Sequence, residues 1–201
     1  MTDIIDRLAG VRAGGSVDAL RRHRPATRDN AQASYDALFT GVDELDETHV
    51  SLAERAAVAQ FIAILHDDEV AATHYAALTR EAGGDVLPGA IADLAEAART
   101  TGPYGDYPAD GPLAGESAPG LRFRLDDPAR SALGDRLAAA LEHAHLLVFR
   151  PRESSVAALA ALGDAGWSTG GIVTLSQLVA FLAFQLRVAA GLRLLATEDA
   201  A

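Results

Sequence analysis

The chain contains no cysteine and no lysine, and all 17 of its basic side chains are arginine. No thiolate nucleophile, disulfide, Cys-ligated zinc, iron–sulfur cluster, lysine Schiff base or P-loop lysine can therefore be built from it. Basic charge is scarce against 28 acidic side chains, so 201 residues carry a formal net charge of −11. A sequence pI near 4.8 argues against a nucleic-acid partner, which wants a basic face. Long apolar runs are also missing. Residues 165–186 hold no charge, but Gly166, Gly170, Gly171 and several hydroxyl and amide side chains interrupt them. They read as a buried core helix, and no membrane span is expected. The first residues carry Asp3 and Asp6 and no long apolar stretch, so no signal peptide is expected. A cytoplasmic location is expected, and the lack of cysteine fits it.

What is present is an apolar fraction of 49% and a charged fraction of 22%, the balance of a globular chain able to bury one core. Alanine, leucine and arginine dominate and period-two alternation is nearly absent, which predicts an all-α bundle of seven to nine helices in a single domain over 1–201. A helical arm is expected over about 1–40, with short helices near Ile4–Val11, from Ser16 to before Pro25, and over Asp29–Phe39. Ser51-Leu52-Ala53-Glu54 is a capping box opening a long alanine-rich segment that stops at Gly83-Gly84. The polar His66-Asp67-Asp68-Glu69 in its middle predicts a break into two helices, with Asp67 or Asp68 as the second cap. Pro88 opens a helix to about Arg99, and 100–126 is rich in proline and glycine and reads as an irregular loop, either a binding arm or a floppy insertion. Asp127-Pro128 opens a helix to about Phe149, Ser154 or Ser155 a shorter one ending at Gly166, and Ser168 caps a last helix. Apolar residues of that last helix cover nearly every direction around its axis, which predicts burial on most sides.

Two clusters carry possible chemistry. In the first, His66, Asp67, Asp68 and Glu69 precede His74. If the segment is helical from Asp67, Asp67 and His74 lie two turns apart on one face, where a carboxylate would orient an imidazole for acid–base work. The same residues equally describe a capped helix start with a histidine at the edge of the core. The second cluster is Glu142-His143-Ala144-His145. Glu142 and His145 form the E-x-x-H unit of di-metal bundles, which need two such pairs and two further carboxylates. Only one pair exists, so no metal and no cofactor are expected, with Glu142 and His145 the remaining candidates for a mononuclear site. His23 lies among Arg21, Arg22, Arg24 and Arg28, a solvated face or an anion contact, and His49 sits just before a helix cap in a structural position.

The segment "LSLAERAAVAQFIAILHDDEVAATHYAAL" resembles the core of the carboxymuconolactone decarboxylase / alkylhydroperoxidase D-like superfamily. There a similar helix start leads into a C-x-x-C motif followed by a histidine. "LGDAGWSTGGIVTLSQLVAFLAFQLRVAAGL" is similar to the C-terminal turn and helix of the peroxidase-related branch, and "LEHAHLLVFRPRESS" occupies the place of the helix before it. The resemblance covers half to two thirds of the chain. It implies an alkylhydroperoxidase D-like helical bundle and homo-oligomers. With His74 at the family's histidine, the cysteine positions fall at Asp67 and Val70, or at Asp68 and Ala71. The family's upstream acid maps near Glu54 or onto Ala56. Thiol peroxidase chemistry is thereby excluded. Two functions follow as expectations. One is acid–base chemistry on a small acidic or lactone-like substrate, with His74 as proton shuttle, Asp67 its orienter, Glu54 an acidic partner, His66 and Asp68 beside them, and arginines such as Arg55 receiving a carboxylate. The other is a non-catalytic subunit or binding module paired with a cysteine-bearing relative.

Overall fold

A computed structural model describes residues 3–41, 45–102, 105–118 and 120–198. Among the described residues the protein is all-helical, with ten α-helices, nine of them of seven residues or more, and no strand. These are α1 Ile4–Ala9, α2 Ser16–Arg22, α3 Pro25–Phe39, α4 Leu52–Leu65, α5 Glu69–Gly83, α6 Leu87–Ala98, α7 Asp127–Leu133, α8 Asp135–Phe149, α9 Val156–Asp164 and α10 Thr169–Glu198.

Helix α4 is the centre. The Ser51 hydroxyl accepts from the Glu54 amide and the Glu54 carboxylate accepts from the Ser51 amide, so both ends of the capping box are closed. Ala56, Ala57, Val58, Ala59, Phe61, Ile62 and Ala63 are all completely buried. Small side chains let α5, α6, α8 and α10 approach this rod closely. The N-terminal arm belongs to the same core: Ile4, Ile5, Leu8, Tyr35 and Phe39 are buried, with α1 and α2 against α10 and α3.

Four features differ from the sequence reading. The helix expected over Asp29–Phe39 starts at Pro25, because proline suits the first helical turn. The helix expected over Asp127–Phe149 is two, because Gly134 takes φ +80° between α7 and α8, a backbone region other residues avoid. Asp126, not Asp127, provides the cap of α7 by accepting from the Ala129 amide. Helix α10 is not buried on most sides. Leu175, Leu178, Leu182 and Leu186 face the core, while Val173, Phe184, Leu194 and Leu195 are exposed. By length and composition Thr169–Thr197 is long and apolar enough to cross a membrane, with 39% of its most apolar window buried. The loop before α7 holds a 3-10 turn at Ala114–Glu116, and its end is pinned where Phe123 packs between Phe61 and His145.

Candidate functional site

The break between α4 and α5 falls where the polar run predicts it. Asp68 is the cap of α5 and accepts from the Ala71 amide at 3.1 Å. Its second oxygen receives Arg193 Nη2 of α10 at 2.5 Å. Asp67 adopts φ +59° in the turn before it, and its carboxylate, 75% exposed, pairs with Arg99 beyond α6. The hydrogen bond expected between Asp67 and His74 is therefore not made. The helix starts at Glu69 rather than Asp67, and the left-handed turn aims Asp67 away from the face His74 occupies.

His74 has other partners. Arg7 Nη2 of α1 stands 2.6 Å from Nδ1 and 3.1 Å from Nε2, and the Tyr35 hydroxyl of α3 is 2.9 Å from Nε2. A guanidinium only donates, so Nδ1 holds the lone pair and Nε2–H donates to Tyr35. Burial, then the charge of Arg7, lowers the imidazole pKa from 6.5 to about 4. His74 lines none of the five principal clefts. In this setting the ring is a docking point for the N-terminal arm.

Glu54 is equally committed. Besides the capping box, it receives Arg136 Nε at 2.5 Å. The same guanidinium donates to the Gly166 and His49 carbonyls and covers the Trp167 ring, clamping α4, α8 and the start of α10. Arg55 is buried and donates to the Leu38 and Asp46 carbonyls, while its Nε is buried without a hydrogen-bond partner and the residue lines a cleft of about 440 Å³ beside Leu38 and Phe181. Glu142 accepts from Arg130, Arg124 and the Leu125 amide, and His145 Nε2 donates to the Ala98 carbonyl at 3.0 Å. Both candidate metal ligands hold the 122–130 segment and α6 in place. Among the described residues no group of three or more potential ligands converges on a metal site.

The arrangement that carries chemistry lies elsewhere. A cavity of about 500 Å³ opens between the end of α4, α8 and α10, within the size range of small-molecule sites. His66 of the α4 cap and His143 of α8 both form its wall, beside Leu147, Val148, Val179, Ala180 and Ala183. The Nε2 atoms of both imidazoles are buried without a hydrogen-bond partner. Leaving a buried polar atom unpaired costs about 1–3 kcal/mol, so both rings, which share the wall of one cavity, hold a nitrogen that lacks a partner in this arrangement. Burial holds both imidazoles below the usual histidine pKa, and at His66 the charge of Arg187 adds to it while Asp68 opposes it. That environment favours the neutral form of both rings. Arg187 stands at the wall, donates to the Ala183 carbonyl, and has no ion pair among the described residues. Ser154 and Ser176 add hydroxyls.

Sequence reading named His66 but joined it to Asp67 and His74. It did not single out His143 or Arg187 as site residues, and no spacing signal links residues on α4, α8 and α10. No model of a known protein family matches the chain, and no curated protein is significantly similar to it.

Proposed function

We propose that the protein binds a small, largely apolar molecule bearing an acid or lactone group in the His66–His143 cavity and performs acid–base chemistry on it. The carrying observation is that two imidazoles whose Nε2 atoms are buried without a hydrogen-bond partner share the wall of one largely apolar cavity with Arg187, which has no ion pair among the described residues. Arg187 would take the carboxylate or lactone oxygen. One imidazole would remove a proton from the carbon next to the carbonyl, and the imidazolium would return it to the product. The substrate class comes from the resemblance to the carboxymuconolactone decarboxylase-like superfamily. The role moves from His74 and Asp67, which the N-terminal arm and Arg99 occupy, to His66 and His143.

Benzoate and its neutral analogue benzamide provide the test, followed by the ring-proton signals of the six histidines. Benzoate is expected to shift His66 and His143 and leave His74 in place, with about tenfold weaker binding in Arg187→Ala. Turnover of an unsaturated lactone should vanish in His66→Gln and His143→Gln and survive in His74→Gln. Benzoate shifts confined to His74 would overturn the assignment.

A second reading, a binding module or subunit without chemistry, is favoured by one observation: α10 exposes Val173, Phe184, Leu194 and Leu195, an apolar face suited to another protein chain.

A further inference from the structure

Arg55 of α4 is a charge buried without a counter-ion. Only 4% of the residue is exposed. Its hydrogen bonds all go to main-chain carbonyls, those of Ala37, Leu38 and Asp46, and no carboxylate pairs with it among the described residues. Glu54 is engaged with Arg136 and the Ser51 amide, and Glu47 with the Leu52 amide. Taking a guanidinium out of water without a partner ion is costly, and burial here outweighs the surrounding carboxylates and lowers the Arg55 pKa. Two carbonyls on Nη1 and one on Nη2 leave one Nη2 hydrogen and the Nε hydrogen, and Nε is buried without a partner. Nε and Nη2 form one edge of the guanidinium, the edge that a carboxylate grips with both oxygens.

The cleft that Arg55 lines lies between α3, α4 and α10, and its size suits a small molecule. Asp46 stands in the same wall. Thr48, through its side chain and through its amide at 2.9 Å, holds the Asp46 carboxyl below the usual carboxylate range, and Asp46 has no ion pair among the described residues. The two charges do not satisfy each other, because Arg55 donates to the main-chain carbonyl of Asp46 and not to its carboxylate. One cation and one anion without ionic partners thus share a cleft that also presents Leu38 and Phe181, and the hydrogen-bonding groups of Thr174 and Gln177. Neither His74 nor the His66–His143 pair lines it, so it is separate from the acid–base site and does not depend on that reading. We propose that this cleft binds an α-amino acid with an apolar side chain, its carboxylate on the Nε edge of Arg55, its ammonium on Asp46 and its side chain against Leu38 and Phe181. A simple anion would suit Arg55 and be repelled by Asp46, and the net charge of −11 adds to that repulsion. A simple amine meets the reverse conflict at Arg55. A zwitterion carries both charges on one carbon and complements the pair.

Titration with L-phenylalanine, followed by backbone amide shifts, tests the site. Saturable shifts are expected at Leu38, Thr174 and Gln177, with the ring protons of His66 and His143 unmoved. 3-Phenylpropionate, which lacks the ammonium, and phenethylamine, which lacks the carboxylate, should each bind about tenfold more weakly at the same amides. Asp46→Asn keeps an acceptor for the Thr48 amide and removes the charge. It should leave the helical circular dichroism spectrum unchanged, weaken L-phenylalanine about tenfold and bring its affinity level with that of 3-phenylpropionate. Arg55→Gln should abolish binding of both acids. Because Arg55 also ties α3 to α4, Asp46→Asn carries the test if that variant does not fold. No saturable shift at these amides up to about 10 mM L-phenylalanine, or shifts confined to His66 and His143, would overturn the proposal. So would equal affinity for either single-charge analogue in the parent protein, or an Asp46→Asn variant that binds L-phenylalanine as tightly as the parent.

Discussion

Arg7 Nη2 lies 2.6 Å from His74 Nδ1, and this contact joins the first helix of the chain to the histidine that the sequence marks most clearly. Arg193 of α10 repeats the theme at the cap of α5, donating to the Leu8 carbonyl at 2.9 Å and to Asp68 at 2.5 Å. The polar run between α4 and α5 thus serves as the landing site of α1. Arg7→Ala should raise the pKa of His74, because the cation that disfavours protonation is gone. It should also cost about 1 kcal/mol of stability, the net worth of one hydrogen bond from an exposed arginine. Ring-proton titration and urea unfolding measure the two effects. An unmoved His74 titration would mean the arm is not docked there.

Stability should also fall with acid. His74, His66, His143 and His145 all have pKa values lowered by burial in the folded protein. Below the unfolded value of about 6.5, the unfolded chain binds protons that the folded chain refuses. Stability is therefore constant above pH 7 and drops as pH falls toward 4, where His74 itself begins to protonate when folded. For His74 alone the loss is on the order of 2 kcal/mol after solvent screening. Urea midpoints measured from pH 7.5 to 4.5 test this, and His74→Gln should flatten the curve. A midpoint that rose on acidification would contradict the burial of these rings.

Much of the fold is readable from local chemistry. The capping box at Ser51, the cap at Asp68, the stop at Gly83-Gly84 and the Ser168 cap of α10, whose hydroxyl accepts from the Gly171 amide, are all set by residues within a few positions of each other. The break at Gly134 was not readable, because a lone glycine in a helical pattern is tolerated as often as it terminates one. The site was harder still. Asp67, Asp68 and His74 stand out as polar residues within an otherwise apolar segment, but their partners, Arg99, Arg193 and Arg7, come from distant parts of the chain. Which arginine reaches which carboxylate depends on helix packing, and spacing carries no trace of it. His143 sits on α8 with nothing to distinguish it from His145, two residues away and turned to the Ala98 carbonyl instead.

Glu54 separates a capping role from a catalytic one by substitution. Its carboxylate closes the capping box and receives Arg136. Glu54→Gln keeps an acceptor for the Ser51 amide and loses the charge toward Arg136, whereas Glu54→Ala loses both. Expected losses are about 1 kcal/mol for glutamine and about 2–3 kcal/mol for alanine, read from urea unfolding. If Glu54 acts instead in proton transfer, both variants lose turnover at unchanged stability.

Asp67 offers the sharpest contrast between the sequence pattern and the structure. It is the only described non-glycine residue with positive φ, a conformation that costs an L-residue about 1–2 kcal/mol and glycine nothing. Its ion pair with Arg99 is exposed, and such pairs contribute about 0–1 kcal/mol. Relief of the backbone therefore outweighs loss of the pair, and Asp67→Gly should leave the protein as stable or more stable by up to about 1 kcal/mol. The His74 titration should stay where it is, since Arg7 and Tyr35 hold that ring. Were Asp67 the orienting carboxylate of His74, the same substitution would lower the His74 pKa by removing a neighbouring negative charge. One variant, followed by ring-proton titration and urea unfolding, thus decides between a turn residue under backbone strain and a member of a catalytic pair.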